Sequence, residues 1–281
     1  MLHRKVLAVS LISCIALSGC AILGSKKISN PETCQRTLKS EFQVLLDSAK
    51  VTGTVLVFDP QTKTSFSNDF EYASKGFLPA STFKIPNTLI GLELGLLHSE
   101  DDIFYWDGIS RWNDNWNQDL PLKEAFKYSC VPCYQQLARK IGYDHMQDKL
   151  QAFNYGSMDF DSSEIDKFWL MGNSKITCFQ QIQFLQELQE YTLPVNKDSR
   201  NTLLRIMLSD STEDYELRGK TGWSTQDSID YLWYVGILEK GKKHYYVALQ
   251  CSPKQEIEAR NMASVRKEIA LESFRILGYI K

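Results

Sequence analysis

The sequence predicts an α/β fold of the α+β type, in which helices flank one antiparallel sheet and a helical subdomain is inserted into it. β-Branched and apolar runs typical of strands lie near the start, at 52–58 and 64–68. Similar runs return near the end, at 215–222, 229–238 and 243–251. Helix-like apolar periodicity occupies most of the chain between them. Strands at both ends with helices between indicate one sheet with a helical insert, at about residues 80–210.

The elements follow in a simple order. An amphipathic helix is predicted from Cys34 to Lys50, where Leu38, Phe42, Leu45 and Leu46 share one face. The first two strands form a hairpin around the turn at 59–62, and a polar, tryptophan-containing loop is predicted at 98–120. The remaining predictions are helices at about 121–153, 176–191, 198–208 and 258–277, and turns at 224–227 and 240–241.

Composition excludes several classes of protein. The chain has 281 residues, of which 43% are hydrophobic and 23% charged, as is ordinary for a soluble globular protein with a sizeable core. The formal net charge is −2, and no Lys/Arg cluster stands out after the amino-terminal segment. Binding of nucleic acid therefore has little support.

The amino terminus has the pattern of a targeting segment. His3-Arg4-Lys5 is basic, and the apolar stretch from Val6 to Leu17 is too short to span a bilayer as an ordinary helix. We therefore predict a signal peptide at 1–19. It ends in Leu17-Ser18-Gly19-Cys20, which resembles the bacterial lipoprotein box and implies cleavage before Cys20 and lipid on that cysteine.

The alternative to a lipid anchor is ordinary secretion with cleavage at small residues nearby. If Cys20 is lipidated, residues 20–31 form a tether and 32–281 form a single domain. Ala21 follows the cysteine, and the absence of an aspartate there fits sorting to the outer membrane. We expect a location on the periplasmic side of the envelope, as an outer-membrane lipoprotein or otherwise as a soluble periplasmic protein.

The cysteines and histidines do not form a metal-binding pattern. After removal of Cys14 with the leader, and with Cys20 as the anchor, an odd and irregularly spaced set remains, which is no disulfide scaffold: Cys34, Cys130, Cys133, Cys178 and Cys251. The C-x-x-C pair at 130–133 follows no βαβ strand, and the chain has no second such pair, so we expect neither a redox nor a zinc function. Its oxidation state stays open. No metal is expected.

The chain is organised around Pro79-Ala80-Ser81-Thr82-Phe83-Lys84. On a helix, Ser81 and Lys84 lie on one face with adjacent side chains. The apolar run after Lys84 predicts a helix buried on more than one face, and burial lowers the pKa of a lysine. A neutral lysine amine can then take the proton of the serine hydroxyl, which makes the serine a nucleophile. Free N–H groups at the start of a helix suit a developing oxyanion.

This motif alone is weak, because Ser-x-x-Lys occurs by chance and is repeated at Ser264-Val265-Arg266-Lys267. Three further elements strengthen it. Ser129-Cys130-Val131 precedes a predicted helix, Phe168-Trp169-Leu170 follows a polar loop, and Lys220-Thr221-Gly222 ends a strand-like run. A glycine there allows close approach of a ligand, and a lysine beside a hydroxyl suits a carboxylate. Each element by itself is more often structural.

Taken in this order, the four elements resemble those of the penicillin-recognising serine enzymes, and within them the class D, oxacillin-hydrolysing β-lactamases. The resemblance runs from about Thr52 to Tyr279. Class A relatives would show Ser-Asp-Asn at the second element, where this chain has Ser-x-Val. One departure is Ser157 in Tyr155-Gly156-Ser157, where the family usually has asparagine; its effect on loop order and turnover stays open.

The resemblance implies a β-lactamase/transpeptidase-like fold and a serine β-lactamase mechanism. Ser81 would open the lactam ring and form an acyl-enzyme. Lys84 would be carboxylated by CO2 or bicarbonate and act as general base, with Trp169 as its hydrogen-bond donor. No other cofactor is implied.

The remaining site residues follow from the same resemblance. Phe83, Val131 and Trp169 would keep Lys84 dry, and Ser129 would relay a proton to the leaving nitrogen. The N–H groups of Ser81 and Trp223 would form the oxyanion hole. The substrate-binding set would be Val131, Lys220, Thr221, Gly222, Trp223 and Arg266, with Arg260 as a weaker alternative to Arg266.

Two other functions compete with this hypothesis. A penicillin-binding or β-lactam sensor domain of the same fold would be acylated but would hardly hydrolyse; a sensor normally carries a membrane-embedded portion, which the sequence does not show. A structural envelope lipoprotein would need four ordered motifs to be coincidence. The expected partner is a small β-lactam. The preferred lactam, activity on carbapenems and a possible homodimer stay open.

Overall fold

The computed structural model describes residues 28–254 and 259–281. Its centre is a seven-stranded sheet in the order β1-β3-β2-β9-β8-β7-β6. The strands are β1 (Gln35–Leu38), β2 (Val51–Asp59), β3 (Thr64–Ser67), β6 (Leu208–Ser211), β7 (Glu216–Gln226), β8 (Ile229–Lys240) and β9 (Lys243–Pro253), while β4 (Ile103–Phe104) and β5 (Leu120–Pro121) form a separate small pair.

Helices cover both faces of this sheet. They are α1 (Ser40–Ser48), α2 (Phe70–Ala73), α3 (Lys84–Glu93), α4 (Leu122–Lys127), α5 (Val131–Ile141), α6 (Tyr143–Ala152), α7 (Cys178–Gln189), α8 (Lys197–Ile206) and α9 (Ala259–Ile276). One of two 3-10 turns in the described chain, Ala80–Phe83, leads directly into α3; the other is Asp114–Trp116. Helices α3 to α8 lie in the chain between β3 and β6, and α1 and α9 lie together on the other face.

The sheet separates two apolar cores. Strand β2 is buried along almost its whole length, which explains its continuous run of apolar and β-branched residues. One core lies between the sheet and α1 and α9 and includes Phe42 and Phe274. The other lies on the side of the inserted helices and includes Phe83 and Trp169. A sheet covered by helices on both faces confirms the predicted fold class.

Three predicted elements need correction. The helix expected from Cys34 begins only at Ser40, because residues 35–38 pair as a parallel strand with β3 and leave Leu38 exposed. The pattern at 121–153 is three helices, interrupted where Ser129 and Gly142 take positive φ values of 52° and 79°. Strand β7 continues to Gln226, so its turn lies at residues 227–228 and not at 224–227.

The loop expected at 98–120 also contains most of the short β4–β5 pair, in which Ile103 lies opposite Pro121 and Phe104 opposite Leu120. The predicted signal peptide, Cys20 and the first part of the proposed tether lie outside the described residues. Within the described part of the chain, none of the helices is long and apolar enough to cross a membrane.

Candidate active site

Ser81 and Lys84 lie side by side at the centre of the molecule. The 3-10 turn places Ser81 one turn before Lys84, and the Lys84 Nζ donates a hydrogen bond of 2.9 Å to the Ser81 Oγ. Lys84 is completely buried. Burial lowers the pKa of Lys84 to about 7, because the ammonium loses its hydration. Near neutral pH the neutral amine is therefore well populated within reach of the serine hydroxyl.

The second Ser-x-x-Lys has a different environment. Ser264 lies on an exposed part of α9. Lys267 forms an ion pair of 2.8 Å with Asp210 and donates to the Ser209 carbonyl oxygen. Two motifs with the same spacing are thus distinguished by burial, which only Ser81 and Lys84 share.

Ala80 prepares the turn that carries Ser81. Its φ of +51° lies in the left-handed region, which a non-glycine residue adopts only when its surroundings hold it there. Its N–H donates to the Trp169 carbonyl oxygen at 2.8 Å. Two residues after Ala80, the Thr82 Oγ1 donates to the Pro79 carbonyl oxygen at 2.6 Å and accepts from the Gln181 Nε2 at 2.8 Å. These hydrogen bonds stabilise the turn through Trp169, Pro79 and Gln181.

Trp169 closes the apolar side of the site. Its indole is buried, stacks on Phe83 with 5.0 Å between ring centroids and meets Phe168 edge to face at 5.1 Å. Its Nε1 donor is buried and has no hydrogen-bond partner within the described residues. A buried donor without a partner is unusual in folded proteins, and here it lies on the indole that stacks on Phe83. Phe83 directly precedes Lys84 in the chain, so the indole packs on the residue next to the buried lysine.

Lys220 connects β7 to the turn before α5. Its Nζ donates to the Ser129 Oγ, and it also contacts the Thr221 carbonyl oxygen at 3.0 Å and the Thr221 Oγ1 at 3.3 Å. Burial, and then the positive charges of Lys84 and Arg266, hold the pKa of Lys220 well below its usual range. A cavity of about 840 Å³ opens on the side of Lys220 and Thr221 that faces α8 and β6, with Phe126 in its wall, but Ser81 and Ser129 do not line it.

Gly222 lets β7 pass closely over the nucleophile turn. A Cβ at this position would lie 3.2 Å from the Pro79 carbonyl oxygen and 3.1 Å from the Trp233 Cβ. The neighbouring Trp223 is half-buried and donates from its Nε1 to Asp230 at 2.9 Å. The strand therefore needs glycine here for packing, beside any effect on a ligand.

Arg266 reaches the same strand from α9. Its side chain is buried, its Nη1 donates to the Gly222 and Trp233 carbonyl oxygens, and its Nε donates to the Met262 carbonyl oxygen at 2.8 Å. Burial lowers the pKa of Arg266 to about 10, so it stays cationic at neutral pH. Arg266, the residue expected to bind the substrate carboxylate, thus donates to main-chain carbonyl oxygens in this structure. The side chain of Arg260 lies outside the described part.

The other expected residues take clear positions. Val131 is the first residue of α5 and is half-buried, directly after Ser129 and Cys130. Ser157 is held by its backbone, which exchanges two hydrogen bonds of 2.8 Å with Lys175. A disulfide joins Cys130 to Cys133, a state that the sequence left open.

Two aromatic residues near the lysines had no motif to reveal them. The Lys84 Nζ lies 5.0 Å from the centroid of the buried Tyr134 ring, and the Lys220 Nζ lies 5.6 Å from the Phe126 ring. Tyr134 occupies the buried face of α5, three residues after Val131, so apolar periodicity was its only signal. Tyr134 thus places an aromatic ring beside the Lys84 amine, and Phe126 places one beside the Lys220 amine.

The arrangement is suited to acyl transfer. A serine hydroxyl lies beside a buried amine whose pKa is near 7, and the serine is at the amino end of a helix. A second hydroxyl lies against a second lysine. Such a pair can pass a proton to a leaving group, and the lysine can attract an anionic substrate.

The chain is similar to known proteins over most of its length. Residues 44–274 match the family model of the penicillin binding protein transpeptidase domain. The chain is 36% identical over 245 residues to β-lactamase OXA-48 of Klebsiella pneumoniae, covering 87% of this chain and 89% of the relative. It is 34% identical over 264 residues to β-lactamase OXA-10 of Pseudomonas aeruginosa, covering 92% and 96%.

Solved structures extend the likeness to three dimensions. A class D β-lactamase from Sebaldella termitidis superposes with a TM-score of 0.83 at 34% identity, over 89% of this chain and all of that one. The C-terminal domain of the Bacillus licheniformis BlaR penicillin-receptor gives a TM-score of 0.81 at 24% identity, over 88% and 98%. The second likeness concerns the fold alone.

Proposed function

The chain belongs to the class D serine β-lactamases, and on that premise we propose that it hydrolyses penicillins and related β-lactams through an acyl-enzyme on Ser81, with a carboxylated Lys84 as the general base. One observation carries the proposal: the Lys84 Nζ lies 2.9 Å from the Ser81 Oγ in a buried site where its pKa is about 7. Only a neutral amine combines with CO2, and burial supplies that form.

The surroundings of Lys84 fit a carbamate. A carbamate is an anion and needs a hydrogen-bond donor in an otherwise apolar pocket. The Trp169 Nε1 is such a donor, buried and without a partner among the described atoms. A carboxylated Lys84 supplies a base for the hydroxyl of Ser81 and later for the water that releases the acyl group.

In the proposed acylation, the Ser81 Oγ attacks the lactam carbonyl carbon and loses its proton to the base. The N–H groups of Ser81, at the amino end of the helix, and of Trp223 receive the charge that develops on the carbonyl oxygen. The ring C–N bond then breaks. Ser129, bonded to Lys220, passes a proton to the departing nitrogen.

The substrate carboxylate is proposed to bind at Lys220 and Thr221. Lys220 is desolvated and its pKa is depressed, so an anion beside it favours the charged form of the amine. Arg266 adds positive charge from behind Gly222, whose carbonyl oxygen it contacts. Val131, at the start of α5, and Trp223, within β7, are proposed to contact the same substrate. In this proposal Lys220 and Arg266 both help to bind the substrate carboxylate.

The cellular location is part of the proposal. The sequence Leu17-Ser18-Gly19-Cys20 supports a lipid anchor on Cys20 and a place on the periplasmic side of the envelope. Substrates that act outside the cytoplasm would meet the enzyme there.

The experiment is mass spectrometry of the purified protein mixed with a penicillin, together with turnover of a chromogenic cephalosporin. We expect a covalent adduct on Ser81 that forms and disappears during turnover, and a Ser81→Ala protein with neither adduct nor turnover. Ser264→Ala, in the exposed Ser-x-x-Lys, is the matched control and should behave as wild type. An adduct that forms on Ser81 and persists would instead indicate a penicillin receptor, and unchanged turnover in Ser81→Ala would rule out the mechanism.

A further inference from the structure

The disulfide Cys130–Cys133 lies at the catalytic site, between residues to which we have assigned tasks. Cys130 follows Ser129 directly, and Val131 lies inside the bridged segment. Cys130 is completely buried and Cys133 is 6% exposed. The disulfide is therefore adjacent in the chain to two residues of the proposed catalytic site.

The segment before the bridge is held in an unusual conformation. Ser129 has a φ of +52°, although it is not glycine, and its N–H donates to the Phe126 carbonyl oxygen at 3.2 Å. The preceding Tyr128 carbonyl oxygen accepts from the Trp116 Nε1 at 3.0 Å. One side of the turn is thus fixed by hydrogen bonds to α4 and to the tryptophan.

The other side of the turn is fixed by the disulfide. Cys130 is the N-cap residue of α5, and its Sγ accepts from the Cys133 N–H at 3.3 Å. The Cys130 N–H donates to the Ala125 carbonyl oxygen at 2.9 Å. The bridge therefore ties the residue after Ser129 to the first turn of α5. It closes a very short loop, so it constrains the unfolded chain less than a long-range bridge would.

We propose that the Cys130–Cys133 disulfide is a positioning element for Ser129: it holds the Ser129 hydroxyl against Lys220, and its loss slows acylation more than deacylation. The inference rests on the proposed function, because it uses Ser129 as the proton donor to the departing nitrogen. In deacylation the acting groups are Lys84 and Trp169, which lie on α3 and on the loop after α6, and Ser129 is assigned no step. The two half-reactions therefore separate a local effect at Ser129 from a general loss of structure.

The decisive variant is Cys130→Ser with Cys133→Ala. Serine preserves an N-cap acceptor for α5, so the crosslink is removed while the cap is retained. The matched comparison is Cys130→Ala with Cys133→Ala, which removes both. Cys34→Ser, at a thiol that is free and far from the turn in the chain, is the control for effects of thiol replacement.

Acylation and deacylation are measured separately, by single-turnover and steady-state kinetics on a chromogenic cephalosporin. For Cys130→Ser with Cys133→Ala we expect acylation to fall about tenfold, a part of the 10²–10⁴-fold that positioned proton transfer supplies, while deacylation stays within about twofold. In a Ser129→Ala background the same cysteine changes should cause no further fall in acylation, because the group that they position is gone. A purely structural bridge would lower both rates in both backgrounds.

Reduction of the wild type provides the same comparison without substitution. A dithiol reductant transfers two electrons and two protons, so the S–S bond becomes two thiols while the reductant closes to its own cyclic disulfide. Mass spectrometry after alkylation counts the two thiols that appear. The reduced wild type should match the Cys130→Ser, Cys133→Ala protein, and the reductant should not change that variant.

The possible outcomes are distinct. Equal acylation with and without the bridge, or free thiols at both positions in the protein as purified from an oxidising compartment, would overturn the inference. If Ser81 is never acylated, the proposed function itself fails. If Ser81 is acylated at an unchanged rate, only the role of the disulfide fails. Should the double variant not fold, the oxidised and reduced wild type provide the same test.

Discussion

The N–H of Ala80 donates a hydrogen bond of 2.8 Å to the carbonyl oxygen of Trp169. The residue before the nucleophile and the tryptophan that closes the site are therefore joined through their backbones. The bond also supports the left-handed conformation of Ala80, which places Ser81 at the start of the helical turn. Replacement of the Trp169 side chain leaves this backbone bond in place, so the indole can be tested apart from the turn.

Trp169→Phe should slow deacylation by at least about tenfold and lower the free energy of unfolding by about 1–2 kcal/mol, because the smaller ring leaves a cavity. Phenylalanine keeps an aromatic ring beside Phe83 but has no Nε1 donor. Since that donor has no partner among the described atoms, its loss leaves no protein acceptor unsatisfied. Burst kinetics and denaturant unfolding measure the two quantities.

Trp233→Phe is the matched control for this prediction. Trp233 is equally buried, but its Nε1 donates to the Leu78 carbonyl oxygen at 2.8 Å. Its replacement should have the same cavity cost and lose about 1–3 kcal/mol more by leaving that oxygen unsatisfied, with a far smaller effect on deacylation. Identical behaviour of the two variants would contradict the role assigned to Trp169.

Turnover should depend on pH and on bicarbonate through Lys84. The pKa of Lys84 is lowered to about 7, so below that pH the amine is protonated and cannot combine with CO2. Activity of degassed enzyme should therefore fall as the pH decreases through 7, and added bicarbonate should restore part of it. Initial rates at fixed pH with and without bicarbonate test this. Full turnover of degassed enzyme at low pH, without a bicarbonate response, would leave Lys84 as a plain amine.

Lys84→Met should increase stability near pH 7 while abolishing turnover. The folded-state pKa of Lys84 lies below its unfolded value, so between about 7 and 10.5 the unfolded chain binds the extra proton and wild-type stability rises with pH. Below this window the wild type bears the full cost of the buried amine, about 1.4 kcal/mol for each unit of pKa shift.

The gain from Lys84→Met should therefore be a few kcal/mol at pH 7 and should shrink towards pH 10. Urea unfolding of degassed samples at both pH values measures it, because CO2 would stabilise the wild type alone. A Lys84→Met protein that is less stable than wild type at pH 7 would show that the buried lysine does not destabilise the fold.

Gly222→Ala should weaken both the fold and acylation. The added Cβ would lie 3.1 Å from the Trp233 Cβ and 3.2 Å from the Pro79 carbonyl oxygen, so β7 has to move away from the nucleophile turn. Overpacking of this kind typically costs about 1–3 kcal/mol. Gly241→Ala is the control: its Cβ meets open space, although its φ is +60°. It should lose roughly 1 kcal/mol of stability with acylation unchanged.

Cys20→Ser should move the protein from the membrane fraction to the soluble fraction of the envelope. The reason is the proposed lipid on Cys20, since a serine side chain cannot carry the thioether-linked group. Cys14→Ser, within the predicted leader, serves as the control and should leave the distribution unchanged. Wild-type protein that is already soluble after fractionation would favour ordinary secretion.

Local pattern was sufficient for the features that depend on neighbouring residues. The apolar run after Lys84 predicted its burial, and the spacing of Ser81 and Lys84 predicted their contact, which the structure shows at 2.9 Å. The β-branched runs likewise predicted the strands of the central sheet. In each case the information lies within a few residues along the chain.

Features that depend on distant partners could not be obtained in this way. Residues 35–38 form a strand only because β3 offers an edge, and Leu38 carries no sign of this. The helix break at Ser129 depends on a positive φ at a residue that is not glycine, so the sequence does not indicate it. Arg266 has the expected position on α9, but its bond to the Gly222 carbonyl oxygen follows from how that helix packs on the sheet.

The pairing of β2 with β9 has a consequence for biosynthesis. Strand β2, at residues 51–59, pairs on one edge with the nearby β3, but its neighbour on the other edge is β9, at 243–253. Contacts so far apart in the chain form slowly, and β2 leaves the ribosome long before its partner exists. An incomplete chain therefore keeps an open strand edge that chaperones or proteases can recognise. The catalytic centre can therefore assemble only after synthesis has reached β9, the last strand in the chain.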